Sequence, residues 1–117
     1  MQAPDLQALN RYINHHYPMT THVVAWADEG RPYYDCKGAS ALKIDALERA
    51  GISPSDIRVL LVPGVPAHMV VQVRLNGQDY VLDNDSAWLQ RPSDYQIIAE
   101  EPAFAVQSWI PQARGAR

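Results

Sequence analysis

The 117-residue sequence has a single cysteine, Cys36, so an internal disulfide is excluded and the fold must rest on its core alone. There is no excess of positive charge. The formal net charge is −3 and the basic residues are scattered, which gives no electrostatic basis for a nucleic-acid partner. Long apolar runs are missing too. The best candidate, "VLLV" at 59–62, is flanked by Arg58 and Pro63, far short of a membrane span. The first residues, "MQAPDLQALNRY", carry neither a basic n-region nor an apolar h-region. A cytoplasmic protein is expected, or a periplasmic one whose leader has been removed. Repeats and low-complexity segments are also absent, and nothing in the sequence sets an oligomeric state.

What is present suits one folded domain over residues 1–117. The hydrophobic share of 47% is enough for one modest core at this length. Nine prolines fall mostly between plausible elements and punctuate the chain. Asp5 can cap a first helix, "LQALNRYINHHY", whose Leu6, Leu9 and Ile13 make a helical stripe. A second helix begins after Asp35 and ends at Gly51, a good C′ residue. Its expected buried face is Ala39, Leu42, Ala46, Leu47 and Ala50, with Cys36 near the edge, and Asp45 and Arg49 pair on the outside. Ser53 or Ser55 caps a short turn before the strand "IRVLLV". Residues 67–75 alternate as a strand, Asn76-Gly77 signals a type I′ hairpin, and residues 78–83 return. One or two short strands are expected after a loop. Helices first and antiparallel strands afterwards indicate an α+β domain, with N-terminal helices packed on an antiparallel sheet.

With Asn76 and Gly77 as the two loop residues, Val70 faces Asp83 and His68 faces Asp85. His68, Val70, Asp83 and Asp85 then share one face of the ribbon. His68 and Asp83 are diagonal neighbours there, and Asp85 is a rival partner by the same count. A nucleophilic thiol needs a lowered pKa, a base within reach and a group that orients the base. The start of a helix supplies part of the first through its unpaired N–H groups and dipole. His68 can supply the second and Asp83 the third. The neighbouring Asp35 carboxylate opposes thiol activation unless it turns to cap the helix.

The order of these pieces resembles the bacterial transglutaminase-like cysteine peptidases, relatives of the periplasmic protease that releases a biofilm adhesin from the cell surface. The resemblance is carried by "NRYINHHY", Trp26, "DCKGASALKIDALERAGI", "IRVLLV", "AHMVVQV" and "YVLDN", and covers most of residues 10–84. It implies a papain-like, transglutaminase-like fold. It also implies a cysteine hydrolase in which Cys36 is the nucleophile, His68 the general base and acid, and Asp83 the orienting group, acting on a protein or peptide substrate. Two departures stand out. Biofilm-protease members carry acidic residues just after the cysteine that help bind calcium; here Lys37 and Gly38 stand there and Asp35 alone matches. No cofactor is therefore expected, and calcium is a weakened candidate. The sequence as given is also shorter than the family's pattern at its N-terminal side, so a different substrate cleft is expected.

Two other functions fit the same residues: a transglutaminase or deamidase acting on glutamine side chains, and a catalytically silent relative that binds a protein through the same cleft. His15, His16 and His22 have no spacing that suits zinc together with Cys36. Trp26, Tyr33 and Tyr34 have two readings, ordinary aromatic packing, which is favoured, and a lining of the cleft near Cys36, where the resemblance implies an upstream side chain at the oxyanion; Trp88 and Trp109 are read as core residues.

Overall fold

In the computed structural model, residues 5–16, 36–63, 68–86 and 88–104 are described, without the side chains of His16, Cys36, Lys37 and Gly38. Helix α1 spans Leu6–His16 and helix α2 spans Cys36–Arg49. Four strands follow: β1 (Ile57–Val62), β2 (His68–Leu75), β3 (Gln78–Leu82) and β4 (Ala99–Pro102). They form one antiparallel sheet in the order β3-β2-β1-β4. Short 3₁₀ turns occupy Pro54–Asp56 and Pro92–Asp94.

The helix ends follow local chemistry. Asp5 Oδ1 accepts from the Ala8 N–H at 3.0 Å, which satisfies one of the orphan donors at the start of α1. Gly51 takes φ +98° just past α2. The Gly51 N–H bonds Glu48 O, and the Ile52 N–H bonds Leu47 O, each at 3.0 Å. This is a Schellman ending, and Ile52 joins Leu47 in the core behind it. Asp45 pairs with Arg49 at 3.1 Å, one turn apart.

The turn at Asn76-Gly77 has φ +53° and +77°, as a type I′ hairpin requires. The register is Leu75 to Gln78, Arg74 to Asp79, Val73 to Tyr80, Gln72 to Val81 and Val71 to Leu82, in agreement with the sequence count. β4 does not extend this hairpin. It pairs with β1 on the far side, Arg58 opposite Pro102 through Leu61 opposite Ala99. The edge beyond β3 is partly covered by Gln90, which exchanges two backbone bonds with Val81.

The main core lies between the helices and one sheet face: Leu6 from α1, Ala41, Ile44 and Leu47 from α2, and Ile57, Val59, Met69, Val71, Val73 and Leu82 from the strands. Leu60, Val62, Val70 and Val81 form a smaller cluster on the other face, with Tyr95 packed against it. His68 shares strand parity with Val70, and so stands on this second face at the start of β2.

Two expectations are corrected. The inward face of α2 is rotated by roughly a quarter turn from the one the apolar pattern suggested. Ala39, Ser40, Ala41, Lys43, Ile44 and Leu47 are buried, whereas Leu42, Ala46 and Ala50 are only partly so. Lys43 and Ser40 are not on the apolar face expected from the sequence; the interior offers Lys43 a partner in Asn84 Oδ1, whereas Ser40 Oγ is buried without one among the described residues. Trp88 is 63% exposed rather than in the core, and the Arg11 guanidinium carbon sits 4.7 Å from its ring centroid. Trp26, Tyr33, Tyr34 and Trp109 lie outside the described residues.

Candidate functional site

The end of β3 and the turn after it carry the acidic side of the site. β3 stops at Leu82, and Asp83 opens a loop through Ser86. The loop is held from α1. Asn10 Nδ2 donates to Asp83 O at 3.3 Å and to Ser86 O at 2.9 Å. Asn14 Nδ2, one turn later, donates to the same two carbonyls at 3.0 and 3.2 Å. Two amides thus satisfy buried main-chain acceptors that no strand partner reaches. Lys43 of α2 grips the loop from another side, donating from Nζ to Asn84 Oδ1 at 2.6 Å.

His68 opens β2, and its Nε2 lies 2.8 Å from Asp83 Oδ1. Asp85 is farther, at 3.7 Å. Of the two rival carboxylates, Asp83 makes the hydrogen bond. It is the more enclosed of the two as well, its side chain 9% exposed against 76% for Asp85. The Asp83 carboxylate has further donors: the Asp85 N–H reaches Oδ1 at 2.9 Å and the Tyr95 hydroxyl donates to Oδ2 at 2.6 Å. Burial by itself would push this carboxyl up. The hydrogen bonds from His68, the Asp85 backbone and Tyr95 outweigh it and hold Asp83 at about 2. Burial beside that carboxylate pushes the Tyr95 hydroxyl well above its usual range, so it remains a donor.

With Asp83 ionised, the His68 proton belongs on Nε2, and the neutral ring presents its lone pair at Nδ1. Such an imidazole is a base with a fixed direction. A depression of about 320 Å³ lined by Arg11, Asn14, His15, Asn84, Asp85 and Ser86 opens along the loop that follows Asp83.

Cys36 is the first residue of α2; its thiol, the Asp35 cap and the residues before them lie outside the described residues. The structure thus brings two of the three expected site residues, His68 and Asp83, into contact. Sequence reasoning missed Tyr95, Lys43, Asn10 and Asn14. Asn10 and Asn14 carried a faint signal, an i, i+4 pair of amides beside the apolar stripe of α1. Tyr95 carried none, since its contact with Asp83 comes from the path of the chain after β3.

His68, Asp83 and Asp85 offer three donor atoms within 4.8 Å of one another, so the trio could hold a metal ion. Its chemistry does not suit calcium. Calcium takes about six to eight oxygen ligands, whereas this set includes an imidazole nitrogen. Both Asp83 oxygens are also already engaged by His68, the Asp85 N–H and Tyr95.

No protein-family model and no curated protein sequence matches the chain. Solved structures do. LapG of Legionella pneumophila in a calcium-bound form superposes with a TM-score of 0.62 at 18% identity, over 81% of this chain and 62% of that one. Another LapG structure gives 0.67 at 15% identity, over 96% of this chain and 77% of LapG. EGTA-treated LapG gives 0.66 at 14% identity with the same coverages. This chain therefore spans about three fifths of the calcium-bound LapG chain. At the level of fold the comparison agrees with the sequence resemblance: the protein has the transglutaminase-like α+β fold of LapG.

Proposed function

We propose that the protein is a cysteine hydrolase that cleaves a peptide or amide bond in a protein or peptide substrate, with Cys36 as nucleophile, His68 as general base and acid, and Asp83 as the orienting group. The observation that carries this reading is the His68–Asp83 hydrogen bond, made on a sheet whose companion helix starts at the cysteine. The helix geometry supports it as well. Positions 36 and 43 are seven residues apart and so nearly share a face of α2, and Lys43 reaches Asn84, the neighbour of Asp83. The likeness to LapG, a cysteine protease, supports the class.

In this mechanism His68 Nδ1 takes the thiol proton, and the sulfur attacks the carbonyl carbon. The N–H groups of the first turn of α2, which have no partner within the helix, are suited to stabilise the oxyanion. Collapse breaks the C–N bond, and Nδ1 returns the proton to the leaving amine. A thioester remains. Water then gives a proton to Nδ1 as its oxygen attacks the thioester carbon; collapse breaks the C–S bond, Nδ1 returns the proton to the sulfur, and the acid is released. Asp83 stabilises the imidazolium in both halves without itself being protonated. No calcium enters this scheme, and none of its steps needs a metal ion.

Alkylation of Cys36 by iodoacetamide across pH tests the reading. The expected result is reaction well below the ordinary thiol pKa of about 8.5. A rate that rises only near that value overturns the hydrolase and favours a binding role for the cleft. Ammonia release from a glutamine peptide without chain cleavage assigns the deamidase instead.

A further inference from the structure

Lys43 is fully buried on α2, yet the chemistry proposed above does not use it. Burial drags its ammonium down to about 7, with Asp83 and Asp85 pulling it back up. A methionine of similar length would fill the same space without that desolvation cost. Packing therefore gives no reason for an ammonium here, and its one described hydrogen bond is the place to look. That bond, to Asn84 Oδ1 at 2.6 Å, is a short one that the amine can donate whether neutral or charged, and it is charge-assisted in the ammonium form. Its acceptor directly follows Asp83.

The loop's other supports act elsewhere. Asn10 and Asn14 hold the main-chain carbonyls of Asp83 and Ser86, while Tyr95 and the Asp85 N–H hold the Asp83 carboxylate directly. Between the two carbonyl anchors lies Asn84, and its side chain is tied to α2 by Lys43. We propose that Lys43 is a positioning residue for the candidate triad: by donating to Asn84 it fixes the Asp83–Ser86 turn against the helix that begins at Cys36, and so keeps the Asp83 carboxylate aligned on His68 Nε2. This deepens the hydrolase reading and rests on it for its purpose. The chain of contacts runs Lys43 to Asn84, then along the backbone to Asp83, then to His68. It ties the helix that would carry the nucleophile to the loop that orients the base.

The test is ¹⁵N NMR of the His68 ring in the full chain, at a pH where the imidazole is neutral. The wild type should show one tautomer, with the proton on Nε2. Lys43→Met and Asn84→Ala should each lose that pattern, the two ring nitrogens moving toward tautomeric averaging. The double variant should go no further than N84A alone, because Lys43 acts through the Asn84 side chain. Urea unfolding run alongside establishes that each variant is folded. A folded K43M protein that keeps the wild-type ring pattern overturns the proposal. If K43M does not fold, N84A decides the matter in the same way, since it removes the oxygen that Lys43 bonds, at a partly exposed turn. Failure of the hydrolase reading is seen separately, as ordinary alkylation of Cys36 in the wild type.

Discussion

The Tyr95 hydroxyl donates to Asp83 Oδ2 at 2.6 Å, from a segment twelve residues further along the chain. Asp83 thereby has a donor on each oxygen, His68 and the Asp85 N–H on one and Tyr95 on the other. The carboxylate is fixed in its plane as well as in position. Tyr95→Phe removes one of these donors and should cost about 1.5–3 kcal/mol at neutral pH, the usual range for a hydrogen bond to a charged group. The effect depends on pH in a definite direction. Asp83 is held at about 2 in the folded protein against about 3.9 when unfolded. Its contribution, roughly 2–3 kcal/mol, is fully present above about pH 5 and is lost as pH falls toward 2. Urea unfolding should show the Y95F deficit at pH 7 and its shrinkage between about pH 5 and 2. A deficit that stays constant over that range would assign Tyr95 to packing alone.

The two aspartates beside His68 should separate cleanly. Asp83→Asn keeps the shape but replaces the acceptor with an amide, which no longer favours the Nε2 proton or the imidazolium. Catalysis should fall by at least about a hundredfold, and the alkylation profile of Cys36 should move up toward pH 8.5. Asp85→Asn removes an exposed charge 3.7 Å from the ring and should leave both within a small factor. Parallel alkylation profiles of the two variants measure this, and equal effects would undo the assignment of Asp83.

Gly77 offers a change of stability with no change of chemistry. Its φ of +77° disfavours any side chain, although an added Cβ would meet no atom within 4 Å. Gly77→Ala should therefore cost about 1 kcal/mol through the backbone alone. His68 stands at the opposite end of β2 from this turn, so the Cys36 alkylation profile should match the wild type. Thermal unfolding and alkylation together check both halves of the expectation.

Much of this site could be read in the sequence because its strongest determinants are local. Asn76-Gly77 sets a two-residue turn, the turn sets the register, and side-chain alternation then puts His68 and Asp83 on one face. Each step spans only a few residues. Asp5, Gly51 and the stripe Leu6, Leu9, Ile13 act within one or two helical turns and were legible for the same reason. The choice between Asp83 and Asp85 was not. Both have the right parity, and only the turn of the chain after Leu82 puts one oxygen at 2.8 Å and the other at 3.7 Å.

The inward face of α2 shows the limit most clearly. Apolar periodicity alone pointed toward Leu42 and Ala46, because it assigns lysine to solvent. Lys43 is buried because Asn84, forty-one residues away, accepts from it at 2.6 Å, and no window along the helix contains that partner. Tyr95 reaching Asp83, Asn10 and Asn14 reaching Asp83 and Ser86, and β4 joining β1 belong to the same class. The sequence by itself determined the elements, their caps, the hairpin register and the pairing of a histidine with an acidic loop, since propensity and turn chemistry act over short spans. Which carboxylate meets the imidazole, and which polar side chains are drawn inside to hold it, only the tertiary structure decided, because the cost of burying a charged or strongly polar group is offset where distant segments bring it a partner.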